Sequence, residues 1–297
     1  MKPIRAVLPW LVAAGILAIL FARVDREATL AALGAAKLGV YAPVAILFTG
    51  VWLALDAFVL RGVFARVGPA LSFREMALAR AATYPWMVVS FDLANVALVA
   101  GLRRSSGASG ARLSAAMLAH YACDLVALAT VASLGSLAAD GAVATALRPI
   151  LLGLAAVACA VLISARLGVA RFGRGRLAAA VAGFRAQDLL RLVALRGLFY
   201  ASFALFVWLT LPCFGLEGPF LDVLARMPLV QSIAALPISP GGIGTAQAAM
   251  LALFSGFGPA SSWLAYSLVY GLTLVLLRLP IGFAVWGRNA LEAPRGA

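Results

Sequence analysis

Two prolines and three glycines interrupt an apolar stretch at Leu236-Pro237-Ile238-Ser239-Pro240-Gly241-Gly242-Ile243-Gly244-Thr245-Ala246-Gln247. Proline removes a backbone donor and glycine relaxes the dihedral limits, so no helix runs through this segment. The flanking apolar arms, Phe220 to Leu236 and Thr245 to Phe257, are about 25 and 20 Å long as helices. Neither crosses a hydrocarbon layer of about 30 Å. Two short helices meeting at an irregular turn predict a re-entrant hairpin, and irregular backbone at membrane depth persists only where protein or water covers it.

The break leaves backbone groups to satisfy. A helix starting near Gly244 and Thr245 begins with N–H groups that lack intrahelical partners and carry the positive end of the helix dipole. An anion, a phosphate in particular, suits such a terminus, and broken helices present their ends to substrates in many transporters. On this reading Gly241, Gly242, Gly244 and Thr245 offer N–H groups, and Ser239 and Gln247 add side-chain hydrogen bonds. The alternative is a sharp connector whose glycines serve turn geometry alone.

The rest of the chain belongs to the same solvent. Of its 297 residues 64% are hydrophobic and 12% charged, with mean hydropathy +1.02. A soluble domain carries about 25% charged residues. The sequence therefore predicts an all-α polytopic transmembrane bundle, one integral membrane domain over residues 1–297. The net charge of +13 comes from arginines between apolar runs, which cytoplasmic loops and anionic headgroups explain better than nucleic acid does. Cys123, Cys159 and Cys213 all lie in apolar runs and read as packing residues. Met1-Lys2-Pro3-Ile4-Arg5 precedes an apolar stretch without a small-x-small cleavage site, so it is read as an uncleaved first span.

Spans are expected at Ile4–Ala22, Tyr41–Ala65, Arg112–Ala139, Ala146–Arg166, Leu192–Leu211 and Ser261–Trp286. Leu71–Ala79 reads as a short interfacial helix within a basic segment that includes Arg61, Arg66, Arg74 and Arg80. The run Ala81 to Leu102 holds Pro85, Asp92 and Asn95 and is followed by Arg103 and Arg104. If it spanned, its arginine-rich flanks would lie on opposite faces, against the positive-inside tendency; if it re-enters, every strongly basic loop falls on one side. In the loop from Arg166 to Arg196, Leu177, Val181 and Phe184 share a helical face but so does Asp188, so a solvated, topology-setting loop is expected. With Ala81–Leu102 re-entrant, both termini are cytoplasmic and residues 1–141 and 142–297 form an inverted repeat. The competing count has seven full spans with termini on opposite faces.

Ionisable groups inside spans need a reason. Asp56 lies well inside the second span, Asp92 and Asn95 are a turn apart, and His120 and Asp124 share a face at i, i+4. Arg278 lies in the last span, where a long side chain can also reach the interface. These residues form either a polar path, with His120 and Asp124 as a proton relay, or structural pairs in which Asp56, Asp92 or Asp124 meets Arg278, Arg196 or Arg80. No metal or cofactor is expected. One histidine excludes multi-histidine zinc sites, and no metalloprotease helix, nucleophile elbow or nucleotide phosphate loop is present.

Ser239-Pro240-Gly241-Gly242-Ile243-Gly244, followed by polar Gln247 inside an apolar helix, resembles the proline-glycine signature of the lysylphosphatidylglycerol synthase transmembrane, or flippase-like, family. That family usually has Glu where this chain has Gln247. The resemblance implies a polytopic helical fold over most of the chain and a role in moving lipids between leaflets. The sequence stops at Ala297, soon after Trp286, so the family's soluble aminoacyl-transfer domain is expected to be absent. The functional expectation is a translocase, not ATP-driven and not an enzyme, for a phospholipid or lipid-linked anionic headgroup in the cytoplasmic membrane. The alternatives are an intramembrane enzyme acting on a phospholipid or isoprenoid lipid, and a non-catalytic membrane subunit. Tags inserted at Gly107 and Arg174 are expected on the same membrane face; finding them on opposite faces eliminates the paired-hairpin topology.

Overall fold

The computed structural model describes residues 2–66, 71–139, 142–167 and 176–292, and among these the chain is all-α, with no strand. In order the helices are α1 (Lys2–Arg23), α2 (Arg26–Gly34), α3 (Leu38–Phe64), α4 (Phe73–Ala81), α5 (Tyr84–Val89), α6 (Phe91–Ser106), α7 (Gly110–Ala138), α8 (Ala142–Leu167), α9 (Arg176–Ala182), α10 (Ala186–Thr210), α11 (Phe220–Ala235), α12 (Thr245–Leu253) and α13 (Ala260–Glu292). Five of them, α3, α7, α8, α10 and α13, are long and apolar enough to cross a membrane; α1 and α2 form a further apolar pair bent by 98°. By length and composition this is the helix set of a multi-pass integral membrane protein.

Local chemistry sets the ends of the short helices. Asp25 accepts from the Ala28 N–H and so starts α2 just after the chain turns out of α1. Ser72 and Glu75 form a reciprocal capping box at the start of α4, which holds the Glu75 carboxyl below its usual range. Pro85 sits in the first turn of α5, where its missing N–H costs nothing.

The run Ala81 to Leu102 is not one continuous helix. Ser90, extended at φ −163°, separates α5 from α6, and the two pack against each other. The second break lies where the sequence places it: α11 ends at Ala235, a short 3-10 turn covers Pro240–Gly242, and α12 begins at Thr245. Helix α5 touches that 3-10 turn, so the two breaks abut.

A recurring order runs through the packing. Helix α2 lies on α13 as α9 lies on α7, and α5 packs on α13 as α11 packs on α7. Both of the latter contacts are made at a glycine. A Cβ at Gly135 of α7 would stand 2.5 Å from the Ala225 nitrogen of α11, and one at Gly282 of α13 would stand 2.4 Å from Pro85 Cδ of α5. Helices α3 and α10 meet in the middle, where Trp52 stacks on Phe203 with ring centroids 3.9 Å apart.

Two expectations need correction. The segment Arg176 to Arg191 is not a solvated loop, because α9 packs on α7 and α8 with Val181 and Phe184 buried, and α10 starts at Ala186. Asp188 escapes burial by accepting from the Arg185 N–H and pairing with Arg66 at 2.6 Å. Arg80, read with the basic interfacial segment, is buried at the end of α4. Gly141, Arg171 and Arg174 fall outside the described residues.

At the second break Gly241 and Gly242 have φ of 55° and 77°. A Cβ on Gly241 would stand 2.7 Å from the Val88 carbonyl oxygen, and one on Gly242 would stand 2.8 Å from Ala234. Substituting Gly242→Ala is expected to lower stability by about 2–4 kcal/mol, from left-handed strain plus overlap. Gly153→Ala, in open space on α8, should be neutral or stabilising. Thermal unfolding of the two variants in detergent compares them.

Candidate functional site

The turn closes on itself. The Gly244 N–H donates to Gln247 Oε1 at 2.6 Å, and Gln247 Nε2 donates to the Ser267 carbonyl of α13 at 3.1 Å. The Thr245 hydroxyl donates to the Gly242 carbonyl and lies 3.0 Å from Ser239 Oγ. The Gly242 N–H reaches the Ser239 carbonyl at 3.4 Å. Ser239, Thr245 and Gln247 are all buried. The N–H of Gly244 and, more weakly, of Gly242, and the side chains of Ser239, Thr245 and Gln247, which the sequence reading offered to an anion, thus have hydrogen-bond partners within the protein. They first satisfy the interrupted backbone, whose polar groups find no partner in hydrocarbon. Gln247 suits this task because its amide accepts from one segment and donates to another, and a carboxylate could do only the former.

Deeper along α3 lies a charged cluster. Asp56 is buried and accepts from Arg80 Nε through one oxygen and from Arg196 Nη1, at 3.2 Å, through the other. Arg196 Nε also pairs with Asp124, whose second oxygen accepts from the Tyr200 hydroxyl at 2.8 Å. Arg80 Nη1 donates to Asn95 Oδ1 at 2.9 Å, and Asn95 Nδ2 donates to the Tyr121 oxygen at 2.7 Å. The Phe199 ring lies 4.1 Å beneath the Arg196 guanidinium. Two carboxylates thus meet two guanidinium groups in a neutral set. The pairing that the sequence reading considered is present between Asp56 and Asp124 and the arginines Arg80 and Arg196.

The remaining three candidates behave differently. His120 is buried with Nδ1 lacking a hydrogen-bond partner among the described residues. No hydrogen bond joins it to Asp124, whose oxygens accept from Arg196 and Tyr200. Asp92 is exposed in the first turn of α6, whereas Asn95, one turn on, points inward. Arg278 is half-buried. Its guanidinium sits 5.6 Å from the Tyr84 ring centroid and has no carboxylate within ion-pairing distance among the described residues.

Two small cavities flank Arg278. One, about 60 Å³, is lined by Met87, Phe91, Gln231, Gly241, Gly242 and Gln247, among others; the other, about 50 Å³, contains Asp56, Arg80, His120, Asp124 and Arg196. Arg278, Met87 and Phe91 line both. The sequence reading missed Tyr121, Tyr200, Gln231 and Tyr270. Gln231 carried a usable signal, as a polar residue inside an apolar arm; it donates to the Tyr270 hydroxyl at 2.8 Å. The tyrosines carried none, because an aromatic ring in an apolar span looks like ordinary packing.

No protein-family model matches the chain, and no curated protein matches it. Asp56→Asn is expected to destabilise the protein by about 3–5 kcal/mol, since it leaves two arginines under-compensated. Asn95→Ala should cost less, about 1–3 kcal/mol, because Arg80 keeps its carboxylate. Unfolding midpoints of the two variants in the same detergent check this order.

Proposed function

We propose that this protein is a lipid translocase, driven by no nucleotide, that binds the phosphate of a phospholipid or lipid-linked headgroup where its two helix breaks abut and moves it across the cytoplasmic membrane. The supporting observation is Arg278, a guanidinium with no ion-pair partner among the described residues, which lines two cavities, one of them bounded by Gly241 and Gly242. The other two arginines of the interior cluster are neutralised by Asp56 and Asp124. An unpaired guanidinium in a medium of low dielectric calls for an anion, and its planar fork suits phosphate. With Asp124 paired to Arg196 and Tyr200 and no hydrogen bond between it and His120, the cluster favours binding and passage over chemistry on the lipid.

The architecture supports movement about this point. The recurrent packing of α2 and α5 on α13, and of α9 and α11 on α7, fits an inverted repeat of residues 1–141 and 142–297 with its site between the halves. In that arrangement both termini are cytoplasmic. Cavities of about 60 and 50 Å³ have room for water but not for a headgroup. The conformation described is therefore the closed one, and passage requires the α5–α6 break and the Pro240–Gly242 turn to part. The turn motif's resemblance to flippase-like proteins points the same way.

Transbilayer movement of fluorescent phospholipids in proteoliposomes tests the proposal. Arg278→Gln is expected to slow movement about tenfold or more, the loss of a charge-assisted hydrogen bond. Arg278→Lys should retain part of the rate, and both variants should unfold at the wild-type temperature, because no ion pair is broken. Equal rates in wild type and Arg278→Gln would falsify the assignment of this arginine as the phosphate anchor.

A further inference from the structure

The cavity of about 50 Å³ that Arg278 shares with the charged cluster has an unbalanced wall. Three arginines line it, Arg80, Arg196 and Arg278, against two aspartates, Asp56 and Asp124. Both aspartates are engaged, Asp56 by Arg80 and Arg196 and Asp124 by Arg196. One positive charge is left over. It belongs to Arg278, whose guanidinium faces the Tyr84 ring and forms no ion pair among the described residues. A guanidinium does not shed its proton, so in a medium of low dielectric its charge is met by a counter-ion.

The same wall holds two further groups without partners. Trp52 and His120, 3% and 6% exposed, both line the cavity, and Trp52 Nε1 and His120 Nδ1 have no hydrogen-bond partner among the described residues. The Trp52 ring is stacked on Phe203, which fixes its plane. An indole N–H and a guanidinium can only donate, and a buried donor left unmade is costly.

Size and charge narrow the guest. One water needs about 10–15 Å³ of such space, so this cavity takes a spherical ion of about water's size with a water or two beside it. A single surplus positive charge calls for a monovalent anion; a dianion overcompensates it, and water alone leaves it unmet.

We propose that this cavity binds one halide-sized monovalent anion, held by the Arg278 guanidinium and the Trp52 Nε1–H, with His120 donating from Nδ1. Resting on the translocase reading, the ion is also the counter-charge of Arg278 in the closed conformation. Lipid phosphate must displace it to reach the guanidinium, so halide competes with the headgroup.

Thermal unfolding of the full chain in detergent, with sodium bromide replacing sodium gluconate at constant ionic strength, reads ion binding without measuring lipid movement. Gluconate is too bulky for the cavity. Wild type is expected to gain stability saturably as bromide rises, because the ion binds the folded state alone. Arg278→Gln is expected to match wild type in gluconate and to lose the saturable gain, while the general effect of bromide on unfolding is common to both proteins. Trp52→Phe, which keeps a ring to stack on Phe203, should need about tenfold more bromide, the loss of one charge-assisted hydrogen bond. In proteoliposomes bromide should slow wild-type lipid movement over the same concentration range. No saturable gain in wild type, or an equal one in Arg278→Gln, overturns the ion site and leaves the translocase reading standing. Movement indifferent to bromide overturns the competition. Saturable binding with no lipid movement by wild type in either salt keeps the ion site and defeats the translocase reading.

Discussion

Asp56 holds the interior together because it is the carboxylate shared by two arginines from distant parts of the chain, Arg80 at the end of α4 and Arg196 in α10. Taking three charges out of water is unfavourable by several kcal/mol for each ion, and only close, well-hydrogen-bonded pairing offsets it. The geometry meets that condition on every side: Asp124 and Tyr200 complete the shell of Arg196, and Asn95 and Tyr121 extend that of Arg80. Helices α3, α4, α6, α7 and α10 are thereby fixed in rotation by polar contacts, a constraint that apolar side chains facing both lipid and protein cannot supply.

The same requirement governs the break after α11. Interrupting a helix in a dry medium frees backbone groups, and Gln247, Thr245 and Ser239 are spent largely on satisfying them. The glycines allow the close approach of Val88 and Ala234 that covers the turn with protein. A residue set that resembles a binding motif in the sequence is thus first a fold-defining staple. Arg278, which lines the cavity beside this turn, has no ion-pair partner among the described residues.

Charge neutrality divides the interior into two kinds of site. Where acids and arginines balance, as around Asp56, the contacts are rigid and specify register. Arg278 forms no ion pair among the described residues, and neither do the exposed Asp92 and Arg103. The first is a cation beside small closed cavities, and the other two line a groove between α6 and α7.

The sequence by itself determined that the chain is helical, where its long apolar helices lie, and that a Pro-Gly break divides α11 from α12. These features are local: helix length, proline and glycine chemistry, and the cost of charge in an apolar run act within a few residues. Which acid meets which arginine, that Asn95 turns in while Asp92 turns out, that α9 packs instead of floating as a loop, and that Gln247 bridges two helices were decided by tertiary structure alone. The reason is that a helix apolar on all sides carries no amphipathic stripe to state its rotation. Side chains facing lipid and side chains facing protein are then the same residue types, and partners are chosen only when the helices are in place.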